Sequence, residues 1–110
     1  NFAGGTGGNP DASPGHSCRP DRLSEVFSHS AKTTVVPGLW LYSVNDMFWG
    51  EEAPKVWFKA FTDAARAAGK TASVEFFAAP AVGDNGHSLQ SNGGRFWIPV
   101  VNEWLDKNGF

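Results

Sequence analysis

Two residues of this 110-residue chain stand where parallel sheets do acid–base chemistry. Asp46 comes two positions after the apolar run Leu39-Trp40-Leu41-Tyr42-Ser43-Val44. His87 lies in the loop that follows Val74-Glu75-Phe76-Phe77-Ala78-Ala79, within Gly83-Asp84-Asn85-Gly86-His87-Ser88-Leu89. A carboxylate beside an imidazole orients the ring and stabilises its charged form. A histidine that takes and returns a proton needs both effects. Taken singly, each residue has a plainer alternative. Asp46 suits an Asx turn cap, and His87 suits a loop histidine bonded to backbone. In this order and at equivalent strand ends, the pair favours the acid–base reading.

Met47, Phe48 and Trp49 follow the acid directly. They either line a substrate pocket or anchor the loop in the core. No G-x-S-x-G or G-x-C-x-G pattern, the mark of a nucleophile on a strand-to-helix turn, occurs in the chain. Gly15-His16-Ser17-Cys18 and Gly86-His87-Ser88-Leu89 begin in the same way, but Arg19 and Gln90 replace the closing glycine. Neither directly follows a buried strand and opens a helix. Cys18 has Arg19 and Arg22 nearby, and cations favour a thiolate; it reads more simply as a free structural thiol. His16, Cys18 and His29 lack the fourth ligand and the spacing of a zinc site, so neither metal nor cofactor is expected. Ser88 reads as a turn residue. Glu51 and Glu52 favour the positive end of the helix they precede.

The elements that must position these residues are legible from periodicity. Residues 3–20 are rich in glycine and proline and read as loop. Leu23, Val26, Phe27 and Ser30 fall at helical spacing within 20–31, with Pro20 suited to the first turn. Leu39–Val44 is apolar on both alternating faces apart from Ser43, as in a strand buried on both sides. Trp57, Phe61, Ala64 and Ala68 form one stripe of a helix over 54–68, with Lys59 and Asp63 paired on the outer face. A second strand covers 74–79, and a glycine-rich loop covers 83–94. A last helix runs from Phe96 or Pro99 to Lys107 and is expected to bury Val100, Val101, Trp104 and Leu105. Strand, helix, strand and helix give an α/β fold, with parallel strands joined by a right-handed helical crossover.

Composition excludes several function classes. Nine Lys and Arg against eleven Asp and Glu leave no basic footprint for nucleic acid. No apolar stretch approaches the roughly 20 residues of a membrane-spanning helix. A single cysteine excludes an internal disulfide framework. Fifteen aromatics, counted as five Trp, nine Phe and one Tyr, are a heavy load for this length.

Leu39-Trp40-Leu41-Tyr42-Ser43-Val44-Asn45-Asp46 resembles the acid-bearing segment of the dienelactone-hydrolase-like α/β hydrolases. Gly83-Asp84-Asn85-Gly86-His87-Ser88-Leu89 resembles the histidine loop of the same family. Asn1-Phe2-Ala3-Gly4-Gly5 resembles the end of the strand after the nucleophile elbow. The resemblance implies Asp46 as triad acid and His87 as general base, acting on a small-molecule ester, lactone or related acyl substrate through a Ser or Cys nucleophile. It further implies that residues 1–110 are the C-terminal portion of an α/β-hydrolase domain, with nucleophile and much of the oxyanion hole before Asn1. The isolated chain is then expected to be inactive. A noncatalytic relative that binds through the aromatic loop at 47–49, or a peptidase-type hydrolase sharing the same acid and base, are the alternatives.

Overall fold

In the computed structural model, which describes residues 1–110, both apolar runs form strands and they lie side by side. The elements in chain order are β1 (Gly8–Asn9), β2 (Ser13–Ser17), α1 (Pro20–Ala31), β3 (Gly38–Ser43), α2 (Glu52–Ala67), β4 (Val74–Ala79), a 3₁₀ turn (Gly86–Ser88), α3 (Leu89–Asn92) and α4 (Gly94–Lys107). This is a mixed α/β domain with two small sheets, one of them parallel, and four helices. No helix is long and apolar enough to cross a membrane.

β3 and β4 pair in parallel from Gly38↔Val74 to Ser43↔Ala79, and Val44 N–H extends the ladder to the carbonyl of Ala79 at 3.0 Å. A helical crossover through α2 makes that pairing possible, since a tight turn joins only antiparallel strands. The first residues run along the opposite edge of β3. Phe2 bridges Leu41 in parallel, with Leu41 N–H bonded to the Asn1 carbonyl at 2.8 Å and Ala3 N–H to the Leu41 carbonyl at 2.9 Å.

Alternation along β3 sends side chains to two cores, one on each face of the sheet. Trp40 and Tyr42 meet Leu23, Trp49, Trp57 and Phe61, while Leu41 joins Ala79, Val82 and Leu89. α1 and α2 cover the first face together. Trp57 is fully buried there and its indole N–H donates to the Pro20 carbonyl at 3.0 Å, which ties one helix to the start of the other. Eight aromatic rings on this face, among them Phe27, Trp40, Tyr42 and Phe58, form a continuous chain of ring contacts. The aromatic surplus of the sequence is largely spent here. On the outer face of α2, Lys59 bonds Asp63 and Lys55 bonds both Glu51 and Glu52.

Four expectations need correction. Residues 3–20 are not all loop, because β1 and β2 form an irregular antiparallel hairpin. Its strands are short and carry no alternating apolar pattern, so periodicity gave no sign of them. The loop over 83–94 likewise contains the 3₁₀ turn and α3. α4 starts at Gly94, and Pro99 lies inside it. A proline there costs the bond to the carbonyl four residues back. Finally, Val100, Val101, Trp104 and Leu105 are half-buried and no residue of α4 is fully buried. The face of the sheet beneath α4 is only β3, β4 and the Phe2 bridge wide, too narrow to cover a four-turn helix.

Candidate active site

β3 and β4 end in register at Ser43 and Ala79, so the loops that leave them emerge together at one edge of the sheet. Asp46 and His87 meet there. Asp46 Oδ2 lies 3.1 Å from His87 Nδ1. The Asp46 side chain is fully buried, whereas 33% of the His87 side chain is exposed. The other oxygen of the carboxylate, Oδ1, accepts the backbone N–H groups of Phe48 at 2.7 Å and Trp49 at 3.1 Å. Turn cap and histidine partner are therefore one and the same residue. An isolated buried carboxylate is costly, and these three contacts are what compensate it.

The aromatic residues after the acid separate into different places. Phe48 is half-buried, and its ring lies against the His87 imidazole with centroids 4.1 Å apart. Trp49 enters the core at 4% exposure, meets His87 edge-on at 5.8 Å, and donates its indole N–H to the Ala3 carbonyl at 2.8 Å. Met47 is half-buried, and its carbonyl accepts Gly15 N–H of the hairpin at 2.7 Å. Gly50 then turns the chain at φ +71°, with Gly15 O where a Cβ would sit, a conformation and a space that suit only glycine.

Two asparagines, to which the sequence reading gave no role, join the two loops. Asn45 Oδ1 accepts Val82 N–H at 3.0 Å and its Nδ2 donates to the Gly83 carbonyl at 2.9 Å. Its backbone carbonyl accepts Gly86 N–H at 3.0 Å. Asn85 Oδ1 accepts both Met47 N–H at 3.1 Å and His87 N–H at 3.0 Å. Ser43, buried at the end of β3, donates toward the Pro80 carbonyl and Asn45 Oδ1. Gly86 is required by this packing: an added Cβ would lie 2.5 Å from Ser43 Oγ and closer still to Asn45 Oδ1. The only available signal was asparagine beside each candidate residue, and asparagine is common in turns.

The remaining candidates stay apart from this pair. Ser88 Oγ donates to the Asn85 carbonyl at 2.9 Å, the bond of a turn residue. Ser17 Oγ donates to the Thr6 carbonyl within the hairpin region. Cys18 is free and exposed, and the neighbouring Arg19 and Arg22 bond to Asp21 and Glu25. No three His, Cys, Asp or Glu side chains gather as a ligand set. Two cavities of similar size, about 310 Å³ between Asn1–Phe2, Pro37–Leu39 and α4 and about 300 Å³ between Gly15–Ser17 and Trp49–Ala53, are lined by neither Asp46 nor His87.

No protein-family model, curated protein or solved structure matches this chain. The chemistry therefore has to be read from the geometry. A buried carboxylate that holds Nδ1 leaves Nε2 as the free, basic nitrogen of a neutral imidazole. Nε2 makes no hydrogen bond within the chain. The pair can orient a histidine for proton transfer at an exposed edge of the sheet.

Proposed function

We propose that this chain carries the acid and base of an acyl hydrolase, with Asp46 orienting and His87 transferring the proton. The observation that carries the reading is the bond from His87 Nδ1 to the fully buried Asp46 carboxylate at the carboxyl ends of paired parallel strands. In this mechanism His87 Nε2 takes the proton of a Ser or Cys nucleophile as it attacks an ester or lactone carbonyl. The imidazolium then gives that proton to the departing oxygen, and Asp46 stabilises the charge in between. The nucleophile belongs to residues outside these 110, on an α/β-hydrolase fold of which this chain is the C-terminal portion. The parallel course of Asn1–Ala3 beside β3 supports that topology. Phe48, whose ring lies tilted against the imidazole, is the residue of the aromatic loop best situated to touch an acyl or alcohol group.

The test is made in the protein carrying both this chain and a nucleophile elbow. His87→Ala there is expected to lower ester kcat/KM by at least about 10³-fold. An unchanged rate would refute the assignment. The 110 residues alone are expected to remain unlabelled by active-site serine and cysteine hydrolase probes, and stoichiometric labelling would contradict the absence of a nucleophile.

A further inference from the structure

The Asp46–His87 pair is built from two loops that leave different strands, so its geometry depends on what fixes one loop against the other. The bonds among Asn45, Met47, Asn85, Gly86 and His87 form a bracket. Asn45, just before the acid, accepts Gly86 N–H, just before the histidine, at 3.0 Å. The Asn45 side chain adds its bonds to Val82 N–H and the Gly83 carbonyl, so this residue ties the loops on the near side of Asp46. The second anchor is Asn85, whose Oδ1 accepts Met47 N–H, just after the acid, at 3.1 Å and His87 N–H itself at 3.0 Å. One amide oxygen thus holds the backbone on the far side of Asp46 and the backbone of His87 at a common point. Asn45 thus ties the loops before the acid, and Asn85 ties them after it, next to His87.

We propose that Asn85 is a positioning residue of the Asp46–His87 pair: its Oδ1, shared by Met47 N–H and His87 N–H, sets the distance and direction of His87 Nδ1 from the carboxylate. The proposal rests on reading that pair as an acid–base unit. Asn85 touches neither the reacting proton nor the Asp46 carboxylate, and acts through the two backbones it joins. The Asp46–His87 bond, at 3.1 Å, depends on how the two loops are held against each other. The carboxylate would keep its two backbone bonds to Phe48 and Trp49, and only the histidine would be released.

The tautomer of His87 reports this directly. Nitrogen-15 correlation spectra of the 110-residue chain, taken where the rings are neutral, separate an imidazole protonated at Nδ1 from one protonated at Nε2. His16 and His29 serve as internal references. The wild-type chain is expected to show His87 as the Nδ1–H tautomer. Asn85→Ala is expected to lose that tautomer for the mixture shown by the reference histidines, and Asn85→Asp, which keeps an acceptor oxygen, to restore it. A general loss of stability would lower the folded fraction without changing the tautomer of folded molecules. If Asn85→Ala keeps the wild-type pattern, the positioning role is overturned while the acid–base reading stands. If the wild-type chain lacks the Nδ1–H tautomer, both fall. Should Asn85→Ala not fold, amide exchange in the wild-type chain decides: Met47 and His87 N–H, sharing one acceptor, are expected to be protected alike. Exchange of either at the rate of an unstructured chain overturns the proposal.

Discussion

Asp46 serves two masters, and substitution separates them. Oδ1 carries two backbone N–H bonds, at 2.7 Å from Phe48 and 3.1 Å from Trp49, while Oδ2 carries the bond to His87. Asp46→Asn keeps the carbonyl oxygen for the two N–H groups and must point its NH₂ at His87, since the opposite flip would set donor against donor. Bonds to a charged acceptor contribute roughly 1.5–3 kcal/mol and neutral ones roughly 0.5–1.5. Two such exchanges predict a loss of about 2 kcal/mol, reduced by no longer burying a charge. Asp46→Ala instead leaves both N–H groups without an acceptor, at about 1–3 kcal/mol each. Trp49 N–H is buried and Phe48 N–H partly so, which places the total near 4 kcal/mol, a large share of the ~5–15 kcal/mol typical of a domain. Urea unfolding followed by tryptophan fluorescence measures both, and the tautomer of His87 in Asp46→Asn should switch to Nε2–H. Under the proposed acyl-hydrolase function, that wrong tautomer is expected to cost about 10⁴ in kcat. The reasoning fails if alanine and asparagine destabilise equally, or if asparagine leaves His87 protonated at Nδ1.

Gly86→Ala is expected to destabilise by about 1–3 kcal/mol or more, since the new methyl must displace Ser43 and Asn45; urea midpoints at constant m-value check it. Burial pushes the phenol of Tyr42, the only tyrosine, well above its usual range, and the nearby Asp46 charge adds to this. Because the folded state holds the proton more tightly, this contribution is complete below about pH 10 and is lost as pH rises beyond it. Phenolate absorbance should therefore be absent from the folded chain at pH values that ionise the denatured one, and an ordinary titration in the folded chain would contradict it. Trp57→Ala should cost about 3–5 kcal/mol, because the side chain is fully buried and its N–H ties α2 to α1. A loss below that range in thermal or urea unfolding would show that the aromatic core collapses around the gap.

The parts that periodicity could reach were close to the observed ones. The strands at 38–43 and 74–79 and the helices at 20–31 and 52–67 each pack an apolar stripe on the core, and a stripe is visible in sequence. The hairpin over residues 8–17 was not visible, because backbone pairing and one bond to the acid loop, Gly15 N–H to the Met47 carbonyl, hold it without an apolar pattern of its own. The start of α4 was misjudged for a similar reason. Pro99 looks like a beginning, and only the surrounding packing makes it an interior residue.

The sequence by itself singled out Asp46 and His87 as candidates for acid and base, since each lies in a loop that follows one of the two apolar strands. It also determined the parallel α/β order, because the spacing of apolar residues commits each segment before any long-range contact forms. Only the tertiary structure decided that Asp46 is fully buried and bonded to His87, that Trp49 belongs to the core while Phe48 lies on the imidazole, and that Asn45 and Asn85 join the loops. These bonds span about forty residues of chain, from 45–48 to 82–87. Local pattern carries no information about distance through space, and a side chain that bonds across such a gap looks in sequence like any other turn residue.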